Sequence, residues 1–106
     1  MADEQAPDLV AVAEDLAAGL DDVDVDESGD VTSYRRGSAV FARVTAGALE
    51  VRLPEDIAEA ALRTPDTQPV PGRPGWVRFA PANAERHVID RATAWLHTAW
   101  RHAATG

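Results

Sequence analysis

The sequence contains no cysteine and no lysine, and its first 30 residues contain no basic residue of any kind. The lack of cysteine excludes disulfides, thiolate metal sites and a cysteine nucleophile. No apolar run approaches the roughly 20 residues of a membrane-spanning helix, and the basic start of a secretory signal is missing. We therefore expect a cytoplasmic protein with no membrane partner. At 106 residues, the chain has the length of one small domain.

Charge is divided unevenly along the chain. Residues 1–30 hold eleven acids and no base, whereas residues 31–106 hold seven acids and ten arginines, so that −11 and +3 give the net charge of −8. An acidic segment of this kind repels phosphate backbones, which makes nucleic acid a weak candidate without excluding it. The abundance of alanine, arginine and aspartate has two explanations. One is the codon bias of a GC-rich genome, and the other is an acidic surface adapted to a salt-rich cytoplasm.

Hydrophobic periodicity predicts three helices and one sheet. One helix is expected from Pro7 to about Leu20, a second begins at Pro54, and a third spans about 84–103. The main strands are expected at 31–36, 39–45, 48–53 and 75–80. Val23 and Val25 alternate with aspartates, as in a strand whose acids face solvent. Ala46-Gly47 has the composition of a hairpin turn. An edge strand is expected near 68–70.

The predicted fold class is α+β. It has two layers, one antiparallel sheet with helices on one face, in the order α-β(3)-α-β(2)-α. Residues 1–106 form a single domain in this prediction. An acidic N-terminal helix and Asp-rich segment span 7–30, and the sheet and C-terminal helix span 31–104.

Three stretches carry a family resemblance. They are Val40–Val44 followed by Leu49–Pro54, then Pro71–Phe79, and last the terminal helix with Ala94-Trp95-Leu96 and Ala99-Trp100-Arg101. Over roughly residues 31–104 the chain resembles the MmcQ/YjbR-like group of small α/β proteins and the related short "luciferase domain" proteins. The resemblance implies a helix–three strands–helix–two strands–helix fold similar to that of secretion chaperones. It implies no catalytic residues, and some members of the group are described as DNA-binding.

The motifs of common catalytic and metal sites are incomplete. Asp22, Asp24 and Asp26 resemble the start of a calcium loop, but Glu27 and Ser33 occupy the positions that need Gly and Glu. His87, His97 and His102 lack the i, i+4 spacing of a zinc helix, and no serine lies in a G-x-S-x-G elbow. We therefore expect no metal, no cofactor and no catalytic residue. Trp95 and Trp100 fall on the apolar stripe of the last helix and are expected in the core.

Alternation along the strands predicts one distinctive surface, on the sheet face away from the helices. Arginines and aromatic residues are expected to mix there, with Tyr34 and Arg36 as extensions: Tyr34, Arg36, Phe41, Arg43, Arg52, Trp76 and Arg78. This composition suits a protein contact or an anionic ligand that stacks on the rings. It also suits arginine stems that merely cover rings in water.

The favoured function is a non-enzymatic binding or adaptor module that acts through this face, as a homodimer or with another protein partner. A weak nucleic-acid-binding protein and a small-molecule enzyme with an unrecognised site are the alternatives.

Overall fold

The computed structural model describes residues 9–45, 48–81 and 86–104. Within these ranges the chain forms helices α1 (Leu9–Ala18), α2 (Glu55–Ala61) and α3 (Arg86–Ala103). The strands are β1 (Val23–Ser28), β2 (Val31–Arg36), β3 (Ala39–Thr45), β4 (Ala48–Arg52), β5 (Thr67–Pro69) and β6 (Trp76–Phe79). The predicted turn at Ala46-Gly47 and residues 82–85, where the last helix was expected to begin, lie outside the described residues.

The six strands form one antiparallel sheet in the order β1-β2-β3-β4-β6-β5. The predicted α+β class with a single open sheet is therefore confirmed. Four strands precede α2 where the predicted order has three, because the Asp-rich strand is part of the sheet and pairs along its whole length with β2, from Val23 opposite Arg36 to Ser28 opposite Val31. The sheet thus begins at Val23 and not near residue 31. The edge strand expected near 68–70 is β5.

The hydrophobic core lies between the sheet and α3. Leu49 and Val51 of β4 and Val77 and Phe79 of β6 are fully buried, and they alternate with polar residues as strands with one covered face do. On α3 the buried positions are mostly small, and they let the helix approach the sheet closely: Val88, Ala92, Leu96, Ala99 and Ala103. Helix α1 packs on α3, and α2 contributes the buried residues Ala58 and Ala61.

The two tryptophans of α3 lie at the border of this core. Trp95 meets Phe79 edge-on, with ring centroids 5.0 Å apart and an interplanar angle of 89°. Trp100 donates its indole N–H to the carbonyl oxygen of Asp21 at 2.9 Å. Both side chains pack against the core but stay partly exposed, so they seal the rim of the core where the sequence pattern predicts its interior.

Arg91 connects α3 to the chain that follows α2. Its Nη2 donates to Thr64 Oγ1 at 2.7 Å and to the carbonyl oxygen of Pro65 at 2.9 Å. The guanidinium also lies 4.7 Å from the centre of the Phe79 ring and 5.0 Å from that of Trp95, which is within the range of cation–π attraction. One arginine therefore connects α3 to the chain after α2 and to β6 of the sheet.

Candidate binding face of the sheet

One polar row crosses the whole sheet on the face away from the helices, which we call the open face. Residues directly opposite each other in paired strands share a face. The register places six residues in one such row: Asp26, Ser33, Arg43, Glu50, Arg78 and Gln68. Because the alternate residues Leu49 and Phe79 are buried under the helices, this row lies on the open face.

Three members of the row form a charge triad, Arg43–Glu50–Arg78. The Glu50 carboxylate accepts a hydrogen bond from Arg43 Nη2 at 2.5 Å and one from Arg78 Nη1 at 3.2 Å. Glu50 is only 7% exposed, and a carboxylate so little hydrated requires charged partners of this kind. The side chains of Arg43 and Arg78 remain 25% and 38% exposed. The triad therefore presents one net positive charge to solvent.

Trp76 lies beside the triad on β6, opposite Arg52 of β4. The guanidinium of Arg43 is 5.4 Å from the centre of its ring, and that of Arg73 is 5.6 Å away. Both distances fall inside the roughly 6 Å range of a cation–π contact. Trp76 is partly exposed, so the open face combines an accessible aromatic ring with positive charge.

Two of the residues expected on this face lie on the other side of the sheet. Tyr34 is 1% exposed and belongs to the hydrophobic core. The guanidinium of Arg36 lies 3.9 Å from the centre of the Trp100 ring, and its Nη1 donates to the carbonyl oxygen of Trp100 at 3.1 Å. The register of β2 explains both corrections, because Ser33 is the residue paired in the polar row and its neighbours along the strand alternate away from it.

Phe41 is also absent from the accessible part of the open face. Tyr34 pairs with Ala42 while Arg35 pairs with Val40, so Phe41 is the extra residue of a β-bulge. Simple alternation fails at a bulge, and Phe41 is 2% exposed within the hydrophobic cluster. Of the seven predicted residues, four remain on this side of the sheet: Arg43, Arg52, Trp76 and Arg78.

Tyr34 is nevertheless unusual for a core residue. Burial raises the pKa of its phenol above the ordinary value, and the carboxylates of Glu14 and Glu27 raise this pKa further. Within the described part of the chain its buried hydroxyl makes no hydrogen bond, and the same holds for Arg43 Nε and Thr45 Oγ1. Tyr34 therefore stays protonated, between the core and an acidic surface.

The acidic and histidine motifs lie apart from the open-face triad. Asp24 and Asp26 are exposed on the edge strand β1, so the predicted strand with solvated aspartates is confirmed. The His97 ring stacks on Trp100 with centroids 5.7 Å apart, whereas the side chain of His87 lies outside the described residues. Across the described ranges, no group of three His, Asp or Glu side chains is arranged to hold a metal ion.

Sequence reasoning missed the roles of Glu50 and Arg73 at this site. Arg43 and Glu50 are equally far from the predicted Ala46-Gly47 turn, so a hairpin there aligns them across the two strands. That symmetry was a usable signal for the first half of the triad. The contact of Arg73 with Trp76 depends on the loop before β6, and no periodic pattern in the sequence indicates it.

The comparisons with known proteins found no match for this chain, among protein-family models, curated proteins or solved structures. The resemblance to the MmcQ/YjbR-like group therefore stays a prediction from the sequence. None of the helices in the described ranges is long and apolar enough to cross a membrane.

Proposed function

We propose that this protein is a non-catalytic binding module whose open face is its contact surface, and that this face pairs with a second copy of the chain. The supporting observation is the polarity of the open face. Asp24 and Asp26 lie exposed at its β1 edge, whereas the triad with its net positive charge lies towards the opposite edge, next to Trp76. A face that is acidic at one edge and basic towards the other is complementary to a copy of itself.

The symmetry of such a dimer follows from this polarity. Closed homodimers have a two-fold axis, so both copies use the same surface. If residue i of one copy contacts residue j of the other, then j of the first also contacts i of the second. An axis that runs between two open faces, parallel to the strands, places the β1 edge of one copy over the β6–β5 edge of the other. Asp26 of each copy then lies near Arg78 of the other, and both Trp76 rings are covered. An axis across the strands would instead place β1 on β1 and bring aspartates together, which charge repulsion disfavours.

Charge reversal tests this arrangement most directly. We expect Asp26→Arg and Arg78→Asp each to weaken dimerisation about tenfold or more, because both symmetric contacts become like-charged. An equimolar mixture of the two variants should recover the dimer, since each contact then pairs an arginine with an aspartate. The double variant should recover it for the same reason. Sedimentation velocity over a concentration series measures all four cases, and circular dichroism checks that the sheet is intact.

Matched controls separate this pairing from a general effect of charge. Asp90→Arg and Arg101→Asp change exposed side chains of α3 by the same amounts, and both should leave the dimer unchanged. Wild-type protein that stays monomeric at every concentration would contradict the proposed homodimer. So would a mixture that fails to recover the mass of the dimer.

Nucleic-acid binding is the second candidate, and Trp76 between two guanidinium groups is the observation that favours it. It is the weaker candidate because the exposed aspartates of β1 share the face and repel phosphate groups. Single-stranded DNA supplies the probe. Affinity that falls steeply with salt and disappears in Trp76→Ala would favour this function over the dimer.

A further inference from the structure

A cleft of about 460 Å³ lies at one end of the sheet, apart from the charge triad. Its walls come from the end of β4, from α2, from the turn before β6 and from the last turn of α3. This volume is in the range of about 300–1,000 Å³ that small-molecule sites occupy. The cleft is therefore large enough to hold a small ligand.

The rim of the cleft is fixed by a close approach of two backbone segments. The N–H of Leu53 donates to the carbonyl oxygen of Gly75 at 2.9 Å, which ties the end of β4 to the turn before β6. Gly75 has a φ of +85°, and a Cβ at this position would lie 3.3 Å from the carbonyl oxygen of Leu53. Glycine is thus favoured here for both backbone conformation and space. Backbone contacts of the fold itself therefore hold this part of the rim.

The walls carry charges of both signs around an apolar patch. Arg52 lies at the end of β4, and Glu55 and Glu59 lie one helical turn apart on α2. Ala58 and Leu62 contribute apolar lining, and Leu62 is 37% exposed. In the described part of the chain, Arg52 forms no ion pair with Glu55 or Glu59. Arg52 and the two glutamates therefore line one cleft without closing on each other.

We propose that this cleft binds a small zwitterion with a carboxylate, an ammonium group and a short aliphatic side chain, as in an aliphatic amino acid. The Arg52 guanidinium offers the forked donors that fit a carboxylate. Glu55 and Glu59 supply the negative charge for the ammonium group, and Ala58 and Leu62 contact the aliphatic part. A ligand with only one of the two charges leaves one wall of the cleft without a partner.

Three related probes test this ligand class by isothermal titration calorimetry: leucine, isocaproate, which lacks the ammonium group, and isoamylamine, which lacks the carboxylate. We expect leucine to bind about tenfold more tightly than either of the others. Arg52→Gln should weaken leucine about tenfold and leave isoamylamine unchanged. The double variant Glu55→Gln with Glu59→Gln should weaken leucine and isoamylamine but leave isocaproate unchanged.

Two control variants make the same charge changes on exposed side chains close to the cleft. Arg63→Gln and Asp56→Asn alter residues that do not line it, and both should keep the affinity for leucine. Wild-type protein that shows no heat of binding with leucine would overturn the proposal, as would controls that weaken leucine as much as the cleft variants do. The charge-reversal variants at Asp26 and Arg78 should bind leucine normally, so a failed dimer and a failed cleft give different results.

Discussion

The two sides of the sheet both combine arginine with tryptophan, but they satisfy the arginine charge differently. On the helix side, Arg91 and Arg36 donate to uncharged oxygens and lie over aromatic rings. On the open face, Arg43 and Arg78 donate to the carboxylate of Glu50, and Arg43 also lies near Trp76.

This difference separates residues that hold the fold from residues that can take a partner. An arginine bound to backbone carbonyls and rings is part of the packing, because its removal leaves those groups without contacts. Ion pairs with exposed members contribute little stability, about 0–1 kcal/mol, and their charge remains available to a ligand. Arg78, with 38% of its side chain exposed, belongs to this second group. The open face is therefore the side on which charge is arranged for contact.

The largest contrast is expected between two aromatic residues of the same strand. Phe79→Ala should lower the free energy of unfolding by about 3–5 kcal/mol, because it empties a fully buried site against Trp95. Trp76→Ala removes a partly exposed ring from the open face and should cost about 1 kcal/mol. Urea denaturation measures both variants. Equal losses would show that Trp76 is part of the core and would remove the basis for the contact surface.

Arg91 offers the next largest effect. Arg91→Ala removes two hydrogen bonds from a charged donor and two ring contacts, so we expect a loss of about 2–3 kcal/mol in urea denaturation. Arg101→Ala on the same helix is the control, because Arg101 is exposed and its loss should stay within about 0.5 kcal/mol. If the two variants lose the same small amount, Arg91 does not hold α3 to the chain after α2 and to β6.

Glu50→Gln tests the open face with an intermediate effect. The change keeps the shape of the side chain but leaves the Arg43 and Arg78 charges without their acid. Because both arginines are partly exposed and can turn towards water, we expect a loss of only about 1–2 kcal/mol on thermal or urea denaturation. Glu59→Gln, at an exposed position, should lose less than about 0.5 kcal/mol. A larger loss at Glu59 than at Glu50 would contradict the pairing of Glu50 with both arginines.

The layer architecture was readable from the sequence because it depends on periodicity. The spacing of Ala92, Leu96 and Ala99 predicts the buried side of α3, and alternation correctly placed Arg43, Trp76 and Arg78 on one face. These patterns are local, and each strand or helix carries its own copy of the signal. They can therefore be read from the sequence without knowledge of the tertiary structure.

The errors concern the face of the sheet that a residue occupies. The extra residue at Phe41 interrupts the alternation of β3, and no turn residue marks the bulge. Tyr34 and Arg36 have polar ends that suit a surface, yet the register of β2 places both on the helix side, Tyr34 in the core and Arg36 against Trp100. Local patterns could not predict the cleft either, because its walls come from four separate parts of the chain.

The smallest expected effect concerns Tyr34, the buried phenol on the helix side. An unfolded tyrosine loses its proton near the ordinary pKa of 10.0, whereas burial and the nearby Glu14 and Glu27 raise the pKa in the folded protein. The unfolded state therefore ionises first as the pH rises. The contribution of Tyr34 to stability is constant below pH 10.0 and is lost as the pH rises from there through the pKa of the folded state.

Tyr34→Phe should remove this alkaline loss of stability. At neutral pH the variant should differ from wild type by less than about 1 kcal/mol, because the lost hydroxyl makes no hydrogen bond in the described part of the chain. Above pH 10.0 the variant should become the more stable of the two. The chain has one tyrosine, so the ultraviolet absorbance of tyrosinate follows its ionisation directly while thermal melts follow stability. Ionisation of the folded protein near the ordinary pKa, or an equal alkaline loss in both proteins, would place the phenol in water and outside the core on the helix side.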